Sequence, residues 1–156
     1  EPQQRGGNLY NWTTATLGSG VDLSSGEATA SICPAHWQLP NNDGTRSIIN
    51  LLVTYYGESA RGQTGNPQTG TATEPSALAQ MQNLLRSEPI SMVVSGRYNR
   101  SSGTWSGRTT AGGYVWSSTA GSAAIAAHGL DTSPSYFNPQ NSYYRGGGLT
   151  VRCVSR

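Results

Sequence analysis

Residues 131–148 read DTSPSYFNPQNSYYRGGG, and residues 149–154 read LTVRCV. The first run reads as a long irregular loop. The second alternates cleanly, with Leu149, Val151 and Cys153 on one face and Thr150, Arg152 and Val154 on the other, the period of a strand. A loop rich in tyrosine and asparagine thus runs straight into a strand that carries one of the chain's two cysteines. How that strand is anchored decides how the rest of the chain is arranged.

The other cysteine is Cys33, in CPAHWQLPNNDG at 33–44. Two cysteines so far apart need other ligands to hold zinc, and only His36 and His128 are on offer. One disulfide closing a loop of about 120 residues is the better reading, worth about 4–5 kcal/mol by chain entropy. Such a bridge implies an oxidising, extracytoplasmic setting. The other reading is two buried free thiols in a cytosolic protein.

Working outward, NLYNWTTAT at 8–16 is aromatic and β-branched and reads as an early strand or extended segment. Pro34 and Pro40 forbid a regular element across 33–44 and leave Trp37 and Leu39 as buried anchors. Ile48, Ile49, Leu51, Leu52, Tyr55 and Tyr56 fall at helical spacing, capped by Asp43 or Thr45 and ended by Gly57. RGQTGNPQTGTAT at 61–73 is a loop. A second helix starts at Thr73 or Glu74 with Pro75 in its first turn, carries Leu78, Met81, Leu84 and Leu85, and stops at Pro89. ISMVVSGRYN reads as a strand, RSSGTWSGRTTAGG as a turn-rich insert and YVWSST at 114–119 as a strand; SAAIAAHGLD at 122–131 fits strand or helix, and its place between two turn-rich segments favours strand. One early strand, two helices and a terminal antiparallel sheet make a single α+β domain. A bridge from Cys153 to Cys33 would fix the last strand beside the segment before the first helix.

LYNW at 9–12, CPAHWQLP at 33–40, SGRYN at 95–99, VWSST at 115–119 and VRCV at 151–154 occur in this order. Together they resemble the Fibrobacter succinogenes major paralogous domain, a bacterial surface domain related to C-type lectin-like and formylglycine-generating-enzyme-like folds. The resemblance covers nearly the whole chain. It implies a C-type lectin-like fold, with two helices packed on a twisted antiparallel sheet and neighbouring termini, and it also supports the Cys33–Cys153 pairing. The chain is similar as well to the variable proteins of diversity-generating retroelements, which vary a C-terminal loop through adenines. The Tyr, Phe, Asn and Ser of Tyr136 to Tyr144 are reachable that way from Asn codons.

Composition narrows the function. The 156 residues hold 35% apolar and only 12% charged side chains, with 20 Gly, 4 Trp and 8 Tyr. That many aromatics at a net charge of +2 argues for a folded, loop-rich domain and against charge-driven disorder. Every basic residue is Arg, and they are scattered, so no stripe for nucleic acid forms. No apolar run reaches the roughly 20 residues of a membrane span. The opening EPQQRGG fits a cleaved precursor or a linker.

The candidate binding residues are Tyr136, Phe137, Asn138, Asn141, Tyr143, Tyr144 and Arg145. Tyrosine gives large contact area at low entropy cost, while Asn, Ser and Gly give adaptable hydrogen bonds. Arg145 beside aromatic faces suits stacking on sugars. The alternative is that these tyrosines pack on the domain itself or on a neighbouring subunit. Calcium-dependent sugar binding is not expected, because Glu74-Pro75-Ser76 is a poor match to a lectin motif and the eight acids are dispersed. Catalysis is not expected either. His128 and Asp131 lie close in sequence, but no nucleophile elbow is present, and GQTGNPQTG lacks the lysine of a phosphate cradle. Neither a metal nor another cofactor is expected. The reading is an extracellular or cell-surface recognition or adhesion domain for a protein or glycan. The alternative is a structural subunit that assembles with copies of itself into a filament, pilus or layer. Low charge favours the alternative, since little repulsion opposes self-association.

Overall fold

The computed structural model describes residues 8–42, 46–48, 50, 51, 54, 83, 85–88, 91, 92, 95–106, 113–133 and 136–155. Its first element is a single helical turn, α1 (Trp12–Ala15). Asn11 is extended, and its Oδ1 accepts the Thr14 N–H at 2.8 Å, an N-cap that starts the turn. Trp12 and Ala15 point inward while Thr13 and Thr14 face solvent. The early strand expected over 8–16 is therefore a capped helical turn. Only Tyr10 keeps a strand-like pairing, with Leu149.

Among the described residues seven strands follow: β1 (Trp37–Gln38), β2 (Arg97–Asn99), β3 (Thr104–Ser106), β4 (Gly113–Ala120), β5 (Ala126–Ser133), β6 (Tyr136–Tyr144) and β7 (Val154–Ser155). They form three small antiparallel sheets, β1–β7, the β2–β3 hairpin and β4–β5–β6. This overturns the α+β, C-type lectin-like expectation of two helices packed on a sheet. Small antiparallel sheets carry the fold, and α1 is the one helix with described bounds. Most of the two expected helices lies outside the described residues. Within those that are described, Leu51 N–H bonds Ser47 O and Ser87 N–H bonds Asn83 O.

The frame is β4. Its residues from Gly113 to Ser118 are all buried, as is Ala120. One edge pairs with β5. The other is filled piecemeal by three distant segments: Trp116 N–H bonds Thr150 O, Ser118 N–H bonds Pro40 O, and Ala120 N–H bonds Gly26 O. Backbone groups that deep in the molecule must find partners, and here each comes from a different part of the chain. Gly129 of β5 allows the close packing, because a Cβ there would stand 2.8 Å from Val115 O.

Around β4 gather Trp12, Leu39, Trp116, Tyr143 and Leu149, with Tyr114, Ala15, Ala120 and Ala127. Both central indoles find acceptors: Trp12 Nε1 donates to Ser117 O at 2.8 Å and Trp116 Nε1 to Tyr10 O at 2.7 Å. Buried tryptophan requires such a partner. Trp116 and Leu39 take the core places expected of them. Trp37 does not: it opens the two-residue β1 at the surface and is 47% exposed. The cysteines form the Cys33–Cys153 disulfide. It fastens the chain just ahead of β1 to the chain just ahead of β7, where only two residue pairs hold the strands together.

The terminal run also departs from its pattern. Leu149 and Thr150 are both buried, so the expected alternation fails. Thr150 lies against the β4 edge, where its hydroxyl also donates to Tyr114 O. Among the described residues of the strand expected over ISMVVSGRYN, Arg97–Asn99 form β2, and the turn-rich insert after it supplies β3.

Candidate functional site

The seven candidate residues do not form a loop. Tyr136 to Tyr144 make up β6, paired with β5 in the register Ser133–Tyr136, Thr132–Phe137, Asp131–Asn138, Gly129–Asn141, Ala127–Tyr143 and Ala126–Tyr144. A register shift between Gly129 and Asp131 accommodates Pro139 and Gln140. Asn138 Oδ1 accepts the Gln140 N–H at 2.9 Å, a side-chain turn that stabilises the irregularity.

Alternation along β6 then divides the candidates between interior and surface. Tyr143 is buried edge-on to Tyr114 and Trp116, with ring centroids 6.4 and 6.1 Å away. Its hydroxyl donates to Asp131 Oδ2 at 2.5 Å. Asn141 Nδ2 donates to the same oxygen at 2.9 Å and to the Tyr143 hydroxyl at 3.0 Å. Arg145 is buried too. Its Nε donates to Ala126 O, its Nη1 to Gly20 O and Val21 O, and its Nη2 to Leu23 O. The guanidinium lies 4.6 Å over the Trp12 ring. A cation with its donors committed to backbone carbonyls and one face on an indole is a staple, not a sugar platform. Of the candidates whose side chains are described, Tyr144 alone is classed as exposed.

Tyr144 borders a cleft of about 200 Å³ that the sequence did not single out. One wall is Ser142, Tyr143 and Tyr144 of β6. The other is Arg97, Tyr98 and Asn99 of β2 with Arg100 and Ser101 of the following turn. The hairpin is zipped to the glycine run by Tyr98 N–H to Gly148 O and Gly148 N–H to Tyr98 O. A Cβ at Gly147 would stand 3.0 Å from Tyr144 O and 3.2 Å from Tyr98 O. The triple glycine thus lets the hairpin settle against the end of β6 and creates the cleft.

Arg97 is held at the cleft floor. Its guanidinium carbon lies 5.2 Å from the centroids of both Tyr114 and Tyr143, and its Nε donates to Ser106 Oγ at 3.2 Å. Arg100 is exposed at the rim. Trp105, 53% exposed, meets Tyr98 edge-on at 5.6 Å. The legible signal was RYNR, two arginines and an aromatic ahead of the Ser-Ser-Gly turn. Its significance depends on the three glycines almost fifty residues later.

His128 and Asp131 sit three apart on β5 and face opposite sides of the sheet. His128 Nδ1 meets Gln140 O at 3.2 Å instead. Among the described residues, no group of three or more His, Cys, Asp and Glu side chains is placed to hold a metal ion, and no helix is long and apolar enough to cross a membrane.

Burial raises the Asp131 carboxyl above its ordinary value, opposed by the hydrogen bonds from Tyr143 and Asn141 and by the Arg97 charge. A raised folded-state pKa means that the folded chain holds the proton more tightly than the unfolded one. The resulting stabilisation is full below the ordinary carboxylate value of about 3.9 and is lost as pH rises through the folded value. Unfolding free energy should therefore fall from acid towards neutral pH, and Asp131→Asn should flatten that fall. Urea unfolding at stepped pH checks this, and an equal slope in the variant would contradict it. Burial, with the Asp131 charge and hydrogen bond, raises the Tyr143 hydroxyl far above the usual tyrosine value, so it stays a neutral donor.

Comparison with protein-family models, with curated proteins and with solved structures finds no match to this chain. The geometry of the cleft and the disulfide is what bears on function.

Proposed function

We propose that this chain is a non-catalytic recognition or adhesion domain of the cell exterior that binds a protein or glycan on another surface. The observation that carries this reading is the cleft between the β2–β3 hairpin and β6. It combines a pre-positioned arginine with an exposed rim of Tyr144 and Arg100. Rigid aromatics and arginine are the residues that dominate binding surfaces. The disulfide supports an oxidising compartment. The resemblance of the ordered motifs to the Fibrobacter succinogenes major paralogous domain supports a bacterial surface role. The test is the Arg100→Ala, Tyr144→Ala double variant on printed panels of glycans and extracellular proteins. Both side chains are exposed, so unfolding free energy should stay within about 0.5 kcal/mol of wild type. Binding to the panel ligand should drop at least tenfold. Undiminished binding by the stable variant would remove the cleft from the account.

Self-assembly is the second reading. It is favoured by Leu17, Val21 and Ile125, exposed apolar side chains on segments that Arg145 ties together. Negative-stain microscopy separates the two, since ordered fibres or sheets would support assembly and dispersed particles would support display.

A further inference from the structure

The cleft's lining specifies the chemistry of its ligand more narrowly than recognition alone, and the following step rests on the cleft being the binding site. Among the described residues, it is lined by two arginines and no acid. Arg97 is fixed by two ring contacts and by the Ser106 hydroxyl, so little side-chain freedom remains to be lost on binding. Its Nε is occupied by Ser106, so a ligand would have to be met by the terminal nitrogens. Asp131, the nearest buried acid behind Tyr143, has its Oδ2 engaged by Tyr143 and Asn141. The stem of Arg100 lies against the backbone of Gly146, where an added Cβ would stand 2.6 Å from its Cδ, and this places the second cation at the rim. Tyr144 and Tyr98 give the walls aromatic character, and Ser142 and Ser101 bring hydroxyls. At about 200 Å³ the space is smaller than the roughly 300–1,000 Å³ that drug-sized molecules occupy. It suits one ring.

We infer that the cleft takes a carboxylate-bearing sugar residue at the end of a glycan. The carboxylate meets Arg97 and Arg100, and the ring lies against Tyr144. Planar guanidinium groups match a carboxylate with two parallel hydrogen bonds, which an ammonium cannot reproduce. The aromatic wall and the hydroxyls distinguish a sugar acid from a bare anion. Arg97 already feels the Asp131 carboxyl behind Tyr143, so a neutral sugar would leave the exposed Arg100 as the cation without an acid in the cleft lining.

The experiment is a ¹H–¹⁵N titration of the full chain with methyl β-D-glucuronide, with methyl β-D-glucoside and acetate as controls. The glucuronide should shift the amides of Ser101, Tyr144 and Gly147 with a dissociation constant on the order of 1 mM. Glucoside and acetate should each bind at least tenfold more weakly. Arg97→Lys keeps the charge and should still lose at least fivefold. Arg100→Ala, exposed at the rim, should lose a similar factor with an otherwise unchanged spectrum, which keeps the test valid even if Arg97→Lys disturbs the fold. Equal binding of glucoside would overturn the acid specificity while leaving the cleft as a recognition site. Equal binding of acetate would reduce the site to an anion hole and overturn the sugar. No cleft shift with any of the three would overturn the inference outright, and the panel assay above decides separately whether the cleft binds anything else.

Discussion

Arg145→Ala is expected to cost about 3–5 kcal/mol of folding stability, a large part of the total for a domain of this size. The guanidinium serves four backbone carbonyls, of Gly20, Val21, Leu23 and Ala126, in a place nearly closed to solvent. Truncation leaves those acceptors facing a void. It also removes the cation from the Trp12 ring, and with it the tie between the 20–23 segment and the end of β6. Arg145→Lys should recover only part of the loss, because an ammonium has three donors and no planar fork. Denaturant unfolding followed by tryptophan fluorescence measures both. A loss below about 1 kcal/mol for the alanine variant would mean that the side chain is not the staple described here.

Removing the Cys33–Cys153 bridge, by reduction or by the paired Cys→Ser variant, is expected to cost about 4–5 kcal/mol, the chain entropy of a loop this long. The bridge spans 120 residues of sequence. The strands it fastens, β1 and β7, share only two residue pairs, Trp37–Ser155 and Gln38–Val154. Those pairs are too few to hold the C-terminal end alone, since isolated short pairings are marginal in water. Guanidinium unfolding with and without reductant measures the difference, and coincident midpoints would contradict it. Loss of the bridge should disturb Thr150 as well, whose backbone closes the outer edge of β4 through Trp116 and Tyr114.

How far the sequence disclosed this depends on the kind of signal. The disulfide was legible, because two cysteines with few alternative ligands leave little else. YVWSST was legible as a strand from its aromatic and β-branched residues, whereas 122–131 was ambiguous by composition and leaned towards strand only by its place between turn-rich segments; β5 takes up its second half. Trp116 and Leu39 were legible as core. What failed was wherever distant chain decides local shape. NLYNWTTAT had strand composition, yet one asparagine cap turned it into a helical turn. The 131–148 run carries two prolines and three glycines and looked irregular. Its 136–144 stretch became β6 because β5 offers it a long antiparallel partner and a register shift absorbs Pro139. Tyr143 and Arg145 had the composition of a binding surface, yet they turned inward, because a strand alternates where a loop need not. The cleft was hidden for the same reason. Arg97 and Tyr144 border one cleft only because Gly147 and Gly148 let two backbones approach, and no local pattern announces an approach at that range.

The functional reading moves accordingly. The tyrosine-rich tail supplies the frame and one wall, and recognition passes to the hairpin that leans on it. That shift stands or falls on β6 being a strand. Amide hydrogen exchange across 126–149 tests it most directly. Paired strands predict slow exchange at alternating amides of β6 and at the β5 amides facing it, with Trp12 and Arg145 amides slow beside them, because they bond Arg145 O and Ile125 O. Fast, uniform exchange from Tyr136 to Tyr144 would mean a displayed loop. It would contradict both the inward roles of Tyr143 and Arg145 and the cleft built upon them.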